Sequence, residues 1–353
     1  MKYPSLQPFS EVVHQLDQFD QIIDVRSPSE FALDHIPGAI NCPVLDDDER
    51  IRVGTMYKQI NAFEAKKTGA AIVARNIARH IEAQFLDHPK EWTPLIYCWR
   101  GGNRSGAMAL ILAKIGWPVV QLEGGYKSFR QHVNTELTEL VSRFNYKVIC
   151  GTTGSGKSRL LQVLQAQGAQ VLDLEKLASH RGSVLGDLPG EPQPSQKAFE
   201  TAIWTTLRHF DSSHPVFVES ESKKVGNLRV PAHLIDSIRI AQCINLETST
   251  EDRVALLLED YAYFNSRPDE LIKRLGYLTI QHGKEKINHW KNLAEQHLMT
   301  ELVHELLKNH YDPAYLRSIG RNFPQLVNTP PTRLQGISDQ DFSQLARQLQ
   351  ASQ

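Results

Sequence analysis

Cys98 stands in the run Tyr97-Cys98-Trp99-Arg100-Gly101-Gly102-Asn103-Arg104-Ser105. Five residues separate the thiol from Arg104, and the stretch that follows reads as a helix. A tight loop feeding a helix N-terminus turns several backbone N–H groups toward one point and adds positive potential there. Arg100 and Arg104 add formal charge. A thiol so placed has a depressed pKa and stands largely as thiolate at neutral pH, beside a place for an oxyanion. Burial as an inert core residue is the commoner fate of a lone cysteine. The Gly-Gly pair and the two arginines favour chemistry at Cys98 instead.

A second run, Gly151-Thr152-Thr153-Gly154-Ser155-Gly156-Lys157-Ser158, fits G-x-x-x-x-G-K-[ST] in full. Its glycines let backbone N–H groups wrap a diphosphate, Lys157 neutralises it, and Ser158 can bind Mg²⁺. The loop recognises a polyphosphate, of which ATP is only the usual case. Val218-Glu219-Ser220-Glu221 ends a strand-like run in acid, where a second Mg²⁺ contact is expected. Asp173 and Glu175 end another. Each pair reads equally well as a plain strand terminus exposed to water.

Both constellations need strand–loop–helix frames, and the flanking sequence supplies them. In the first third, Gln21–Arg26, Pro94–Cys98 and Trp117–Leu122 read as strands, with a helix over Ser105–Ile115. The pattern restarts with strands at Tyr146–Cys150, Gln170–Leu174, Pro215–Glu219 and Ile238–Leu246, and a helix over Lys157–Gln167. Strand–helix–strand alternation implies parallel sheets covered by helices, hence an α/β chain. The expected organisation is a first domain over 10–137, a linker over 138–145, a P-loop α/β domain over 146–250 and a helical extension over 251–353. Ser338, three residues before Asp341, reads as the cap of a last helix.

Composition narrows the class. The chain's 353 residues allow two or three domains with cores of their own. Its four cysteines, Cys42, Cys98, Cys150 and Cys243, show no C-x-x-C spacing, so neither a disulfide scaffold nor a zinc ribbon is expected. The histidines, His209, His214, His282 and His289 among them, show no metal spacing and read as structural or surface residues. A formal net charge of −1 confines any nucleic-acid site to a local patch. No apolar run reaches the ~18 residues of a membrane span, and the N-terminus has no apolar signal core. A cytoplasmic monomer without a tightly bound cofactor or metal is expected.

The first third resembles the rhodanese family. Asp24-Val25-Arg26-Ser27-Pro28-Ser29-Glu30-Phe31, His35-Ile36-Pro37-Gly38-Ala39-Ile40-Asn41 and Glu123-Gly124-Gly125-Tyr126 look like its signatures, and Cys98 matches its cysteine, which carries sulfur or selenium as a persulfide or perselenide. The five-residue gap to Arg104 also resembles the cysteine phosphatases built on the same fold, so a phosphatase or arsenate reductase stays open. Three further stretches, Asp48–Gln59, Asp173–Ser183 and Val218–Asn227, resemble the bacterial tRNA 2-selenouridine synthases. With them the likeness runs from the first domain through the P-loop domain and thins beyond about residue 325. That family exchanges the sulfur of wobble 2-thiouridine for selenium from selenophosphate. It also geranylates the 2-thio group with geranyl diphosphate, the S-geranyl form being the intermediate. The resemblance therefore implies selenotransferase and tRNA geranyltransferase activity, tRNA as substrate and a selenophosphate synthetase as selenium source; Mg²⁺ stays a candidate at the P-loop from the motif itself. Lys223, Lys224, Lys273 and Arg274 are the expected tRNA contacts. The alternative is a P-loop kinase or NTPase carrying a rhodanese-like sulfurtransferase or phosphatase module.

Overall fold

The computed structural model describes residues 3–351, and the chain divides into two units with the boundary between Leu137 and Thr138. The first unit holds five parallel strands, β1 (Ser5–Pro8), β2 (Gln21–Asp24), β3 (Ala39–Asn41), β4 (Pro94–Tyr97) and β5 (Val120–Glu123), in the order β1-β5-β4-β2-β3. The central strand β4 is buried at all four positions, as a parallel strand covered on both faces must be. Ile23, Ile96, Met108 and Leu112 meet Phe85 and Trp92 in its core. The edge strand β1 precedes the expected domain start at residue 10. Ser5–Pro8 pairs in register with Val120–Glu123, and so short a segment with a proline at each side carries no readable alternation.

Helix Gly125–Ser142 runs across the boundary between the units. Residues 138–145, read as a linker, are thus its final turn and a short connection to β6 (Tyr146–Cys150). The second unit continues with β7 (Gln170–Leu172), β8 (Val216–Glu219), an antiparallel pair β9 (Lys224–Val225) and β10 (Leu228–Arg229), then β11 (Gln242–Glu247) and β12 (Pro331–Arg333). Its parallel sheet has the order β12-β11-β6-β8-β7.

Two readings of this unit need correction. The strand expected over Ile238–Leu246 begins only at Gln242, because Ile238-Arg239-Ile240 closes helix Ala232–Ile240. Leu234, Ile235 and Ile238 bury one helical face there, and the β-branched run hid that period. The region after residue 251 is also not helical throughout. β12 adds a strand beside β11, and helix Asp339–Ala351 puts Phe342, Leu345 and Ala346 into the core of Leu160, Leu161 and Leu164. Residues 331–351 therefore complete the P-loop core. Ser338 does cap that helix, its Oγ accepting the Asp341 N–H at 3.3 Å. Between β11 and β12 lies a helical region with its own core of Phe264, Leu271, Leu275, Trp290, Leu302 and Leu306.

Candidate active sites

The Cys98 loop connects β4 to helix Asn103–Ile115. Cys98 is 4% exposed. The Ser105 hydroxyl donates to Cys98 Sγ at 3.3 Å, and Gln121 Nε2 donates to Ser105 Oγ at 3.2 Å and to the Gly101 carbonyl at 2.8 Å. Gly125, with φ +58°, closes the loop from behind. A Cβ there would stand 2.2 Å from the Cys98 carbonyl, so no other residue fits. Burial alone would raise the thiol pKa. The Ser105 hydroxyl, the backbone N–H groups of Ser105 and Arg100, and the Arg104 charge outweigh it, and the net direction is downward. Cys42, in the same core, shows the opposite case: burial, then the nearby Asp24 charge, push its thiol up to about 12.

The two loop arginines differ. Arg104 is fixed by Glu30, Nη1 to Oε2 at 2.9 Å, and Arg50 approaches the same carboxylate at 2.8 Å. Arg100 exposes its side chain and reaches the sulfur through its backbone. Asp24 and Arg26 of the first signature form a buried ion pair at 2.6 Å, and the guanidinium lies 3.9 Å from the Tyr126 ring centroid. They lock the sheet's C-terminal edge; they do not touch the thiol.

In the second unit the loop Gly151–Ser158 joins β6 to helix Lys157–Ala166. Gly156, at φ +86°, would drive a Cβ to 2.8 Å from the Phe342 ring, so the C-terminal helix dictates a glycine there. Lys157 Nζ donates to the carbonyls of Gly151 at 2.7 Å and Thr152 at 3.1 Å. Burial lowers its pKa against the pull of the Glu175, Glu221 and Glu219 carboxylates. Buried Arg253 donates from Nε to the Thr153 carbonyl at 2.9 Å and is itself gripped by Asp312. The loop is the floor of a cavity of about 830 Å³, walled by Glu175, Gly182, Glu221, Tyr261, Tyr311 and Tyr315 among others. Thr153, Leu257, Tyr261 and Tyr311 also border a second chamber of about 50 Å³ that is otherwise apolar, with Phe264, Leu302 and Val303 in its wall.

Glu175, Glu219 and Glu221 gather beside this loop and are not water-exposed strand ends, whereas Asp173 caps helix Leu174–Leu177, its Oδ1 accepting the Lys176 N–H at 2.8 Å. Ser158 Oγ donates to Glu175 Oε2 at 3.0 Å, and the Glu175 N–H donates to Glu219 Oε1 at 2.9 Å. Glu219 is 3% exposed, and its Oε2 has no partner among the described residues. Burial raises the pKa of Asp173, Glu219 and Glu221; burial and then the Glu221 charge push Glu175 up to about 8. A carboxyl raised from its ordinary 4.5 contributes full stability below that value and loses it as pH climbs through about 8. The melting temperature should therefore fall between about pH 5 and 8, and Glu175→Gln should flatten the slope. An unchanged slope in the variant would contradict the assignment.

Lys223, Lys224 and Lys273 are exposed. Arg274 is not: its guanidinium donates to the Leu185 carbonyl at 2.9 Å and the Asp187 carbonyl at 3.1 Å and pairs with Glu270. It is withdrawn as an RNA contact, since its polar atoms hold a loop in place. His282, read as structural or surface, lines the cavity and shares a hydrogen bond of 3.0 Å with buried His310. Among the described residues no group of three or more His, Cys, Asp or Glu is arranged to hold a metal ion, and no helix is long and apolar enough to cross a membrane.

Glu30, Ser105, Gln121 and Arg253 were not singled out from sequence. Ser105 carried a usable signal, following Arg104 at the helix start. Arg253 carried none, being an arginine on an amphipathic helix a hundred residues from the carbonyl it holds.

Fold and sites together define a rhodanese-type sheet with a cysteine cradle, followed by a P-loop domain whose phosphate loop faces a large cavity. Residues 9–132 match the model of the rhodanese-like domain, and residues 144–268 that of the tRNA 2-selenouridine synthase AAA domain. The tRNA 2-selenouridine synthase of Alcanivorax borkumensis is 33% identical over 326 residues, covering 83% of this chain and 88% of that protein. Those of Sulfurovum sp. and Shewanella denitrificans are 39% and 30% identical, over 68% and 87% of this chain and 65% and 90% of their own lengths. The chain belongs to the tRNA 2-selenouridine synthase family. The alternative, a P-loop kinase or NTPase with a fused rhodanese-like sulfurtransferase or phosphatase module, is set aside by that match across both domains.

Proposed function

We propose that the protein converts wobble 2-thiouridine of tRNA to 2-selenouridine in two steps at two sites. In the first, the 2-thio sulfur attacks C1 of geranyl diphosphate, the C1–O bond breaks, and diphosphate leaves. The alkylated sulfur is then the better leaving group at C2. In the second, selenium derived from selenophosphate attacks C2 and geranyl thiolate departs. Selenophosphate comes from a selenophosphate synthetase.

The observation that carries this reading is a phosphate loop whose cavity shares Thr153, Leu257, Tyr261 and Tyr311 with a small apolar chamber. Gly151–Ser158 supplies N–H groups and the Lys157 ammonium for a diphosphate, and the apolar chamber of about 50 Å³ bordered by Thr153 and Leu257 has room for a few carbons of a hydrocarbon tail but not for a nucleobase. The Ser158 hydroxyl, Glu175 and the unpartnered Glu219 oxygen suit Mg²⁺, which when bound would neutralise the diphosphate. Cys98, with its lowered pKa and ring of donors, suits selenophosphate. Lys223, Lys224 and Lys273 remain the proposed tRNA contacts.

Purified protein given 2-thiouridine tRNA and geranyl diphosphate should form S-geranyl-2-thiouridine, and adding selenophosphate should convert it to 2-selenouridine. Selenation at full rate without any geranyl diphosphate would overturn the order of steps. Val303→Trp tests the tail site. Excluding two methylenes from the chamber, at ~0.8 kcal/mol each, raises KM for geranyl diphosphate roughly tenfold. Inhibition by inorganic diphosphate should be unchanged. An unaltered KM would move the tail elsewhere.

A further inference from the structure

We infer that Cys98 attacks phosphorus rather than selenium: its thiolate takes the phosphoryl group of selenophosphate and frees selenide. The inference rests on the reading of the Cys98 cradle as the selenophosphate site and specifies its chemistry.

Electron count separates the two routes. Selenium in selenophosphate stands at the level of selenide. A perselenide on Cys98 is two electrons more oxidised, so its formation requires an oxidant or leaves phosphorus reduced to phosphite. Attack at phosphorus balances as it stands. The Cys98 Sγ–P bond forms, the P–Se bond breaks, and the electron pair leaves with selenium as hydrogen selenide. Water then attacks phosphorus, the S–P bond breaks, and phosphate and the thiolate are released. Hydrogen selenide, as HSe⁻, attacks C2 of the S-geranyl base, its proton passes to N3, and geranyl thiolate takes the electron pair of the broken C2–S bond.

The cradle has the parts such a sequence needs. Arg104, with five residues between it and the thiol, is held by Glu30 at 2.9 Å, a fixed cation for phosphoryl oxygens. Gln121 fixes the loop by donating to the Gly101 carbonyl, and it also donates to Ser105 Oγ. That leaves the Ser105 hydroxyl proton for Sγ at 3.3 Å or for the Gly102 carbonyl at the same distance. A hydroxyl donating to sulfur stabilises a departing thiolate, which is the need of the hydrolytic step. Perselenide formation ends with the charge on selenium and asks for no donor at sulfur.

The test is a rapid neutral-denaturant quench of the full-length protein with S-geranyl-2-thiouridine tRNA and selenophosphate, labelled in parallel with radiophosphorus and radioselenium. The expected result is phosphorus on the Cys98 peptide, no selenium there, and selenium in the RNA. Ser105→Ala should lengthen the lifetime of the phosphocysteine about tenfold, the effect of one hydrogen bond to a charged group, and because the same hydroxyl lowers the thiol pKa its formation should slow at neutral pH and recover as pH is raised. Selenium on Cys98 overturns the inference. So does selenated RNA with neither label on the protein, which leaves the two-step reading standing. RNA that takes up no selenium defeats both.

Discussion

Cys98→Ser should make no 2-selenouridine, a loss of at least about a thousandfold, while still geranylating 2-thiouridine tRNA. The cradle that lowers the thiol pKa, through the Ser105 hydroxyl, two backbone N–H groups and Arg104, has no comparable effect on a serine hydroxyl, whose pKa lies far above neutrality. The substitution removes one atom's chemistry and almost no volume, so Cys98→Ser should melt close to the parent. Cys42, Cys150 and Cys243 are also buried, but their replacement by serine should cost packing alone. Nucleoside mass spectrometry of the reacted tRNA reads both products at once. Undiminished 2-selenouridine from Cys98→Ser would remove the thiol from the reaction.

Lys157→Ala should lose geranylation by roughly a hundredfold or more, the ~2–5 kcal/mol typical of removing one partner of a buried charged pair. Selenation from 2-thiouridine should fall with it, whereas selenation of pre-geranylated tRNA should be nearly retained. The lysine also ties the Gly151 and Thr152 carbonyls. Part of the effect could therefore be loss of loop order, which Lys157→Arg separates by restoring a cation and donors. If Lys157→Ala geranylates normally but no longer binds tRNA, the loop holds RNA phosphate and the diphosphate belongs elsewhere.

Both sites were legible because each is local. Cys98 to Ser105 and Gly151 to Ser158 put nucleophile, donors and cations within nine residues, and strand and helix on either side fix their geometry. What escaped was non-local. Glu30 reaches Arg104 across seventy-four residues, and Arg253 braces Thr153 across a hundred. The burial of Glu219, which turns a strand-end acid into part of a candidate site, comes from the place of β8 inside the sheet, between β6 and β7. Arg274 failed in the other direction. On an amphipathic helix its type and spacing match those of exposed Lys273, and only the Leu185 and Asp187 carbonyls make it structural. Likewise nothing in Pro331–Arg333 announces a strand; β11 provides the edge that makes it one.

Nucleosides from cells lacking the gene, complemented in turn with the wild-type chain, Cys98→Ser and Lys157→Ala, separate the two sites in one mass-spectrometric measurement. The expected result is 2-selenouridine with the wild type, S-geranyl-2-thiouridine without selenium for Cys98→Ser, and unconverted 2-thiouridine for Lys157→Ala. Wild-type levels of 2-selenouridine with either variant, or S-geranyl-2-thiouridine accumulating with Lys157→Ala instead of Cys98→Ser, would contradict the division of labour between cysteine cradle and phosphate loop.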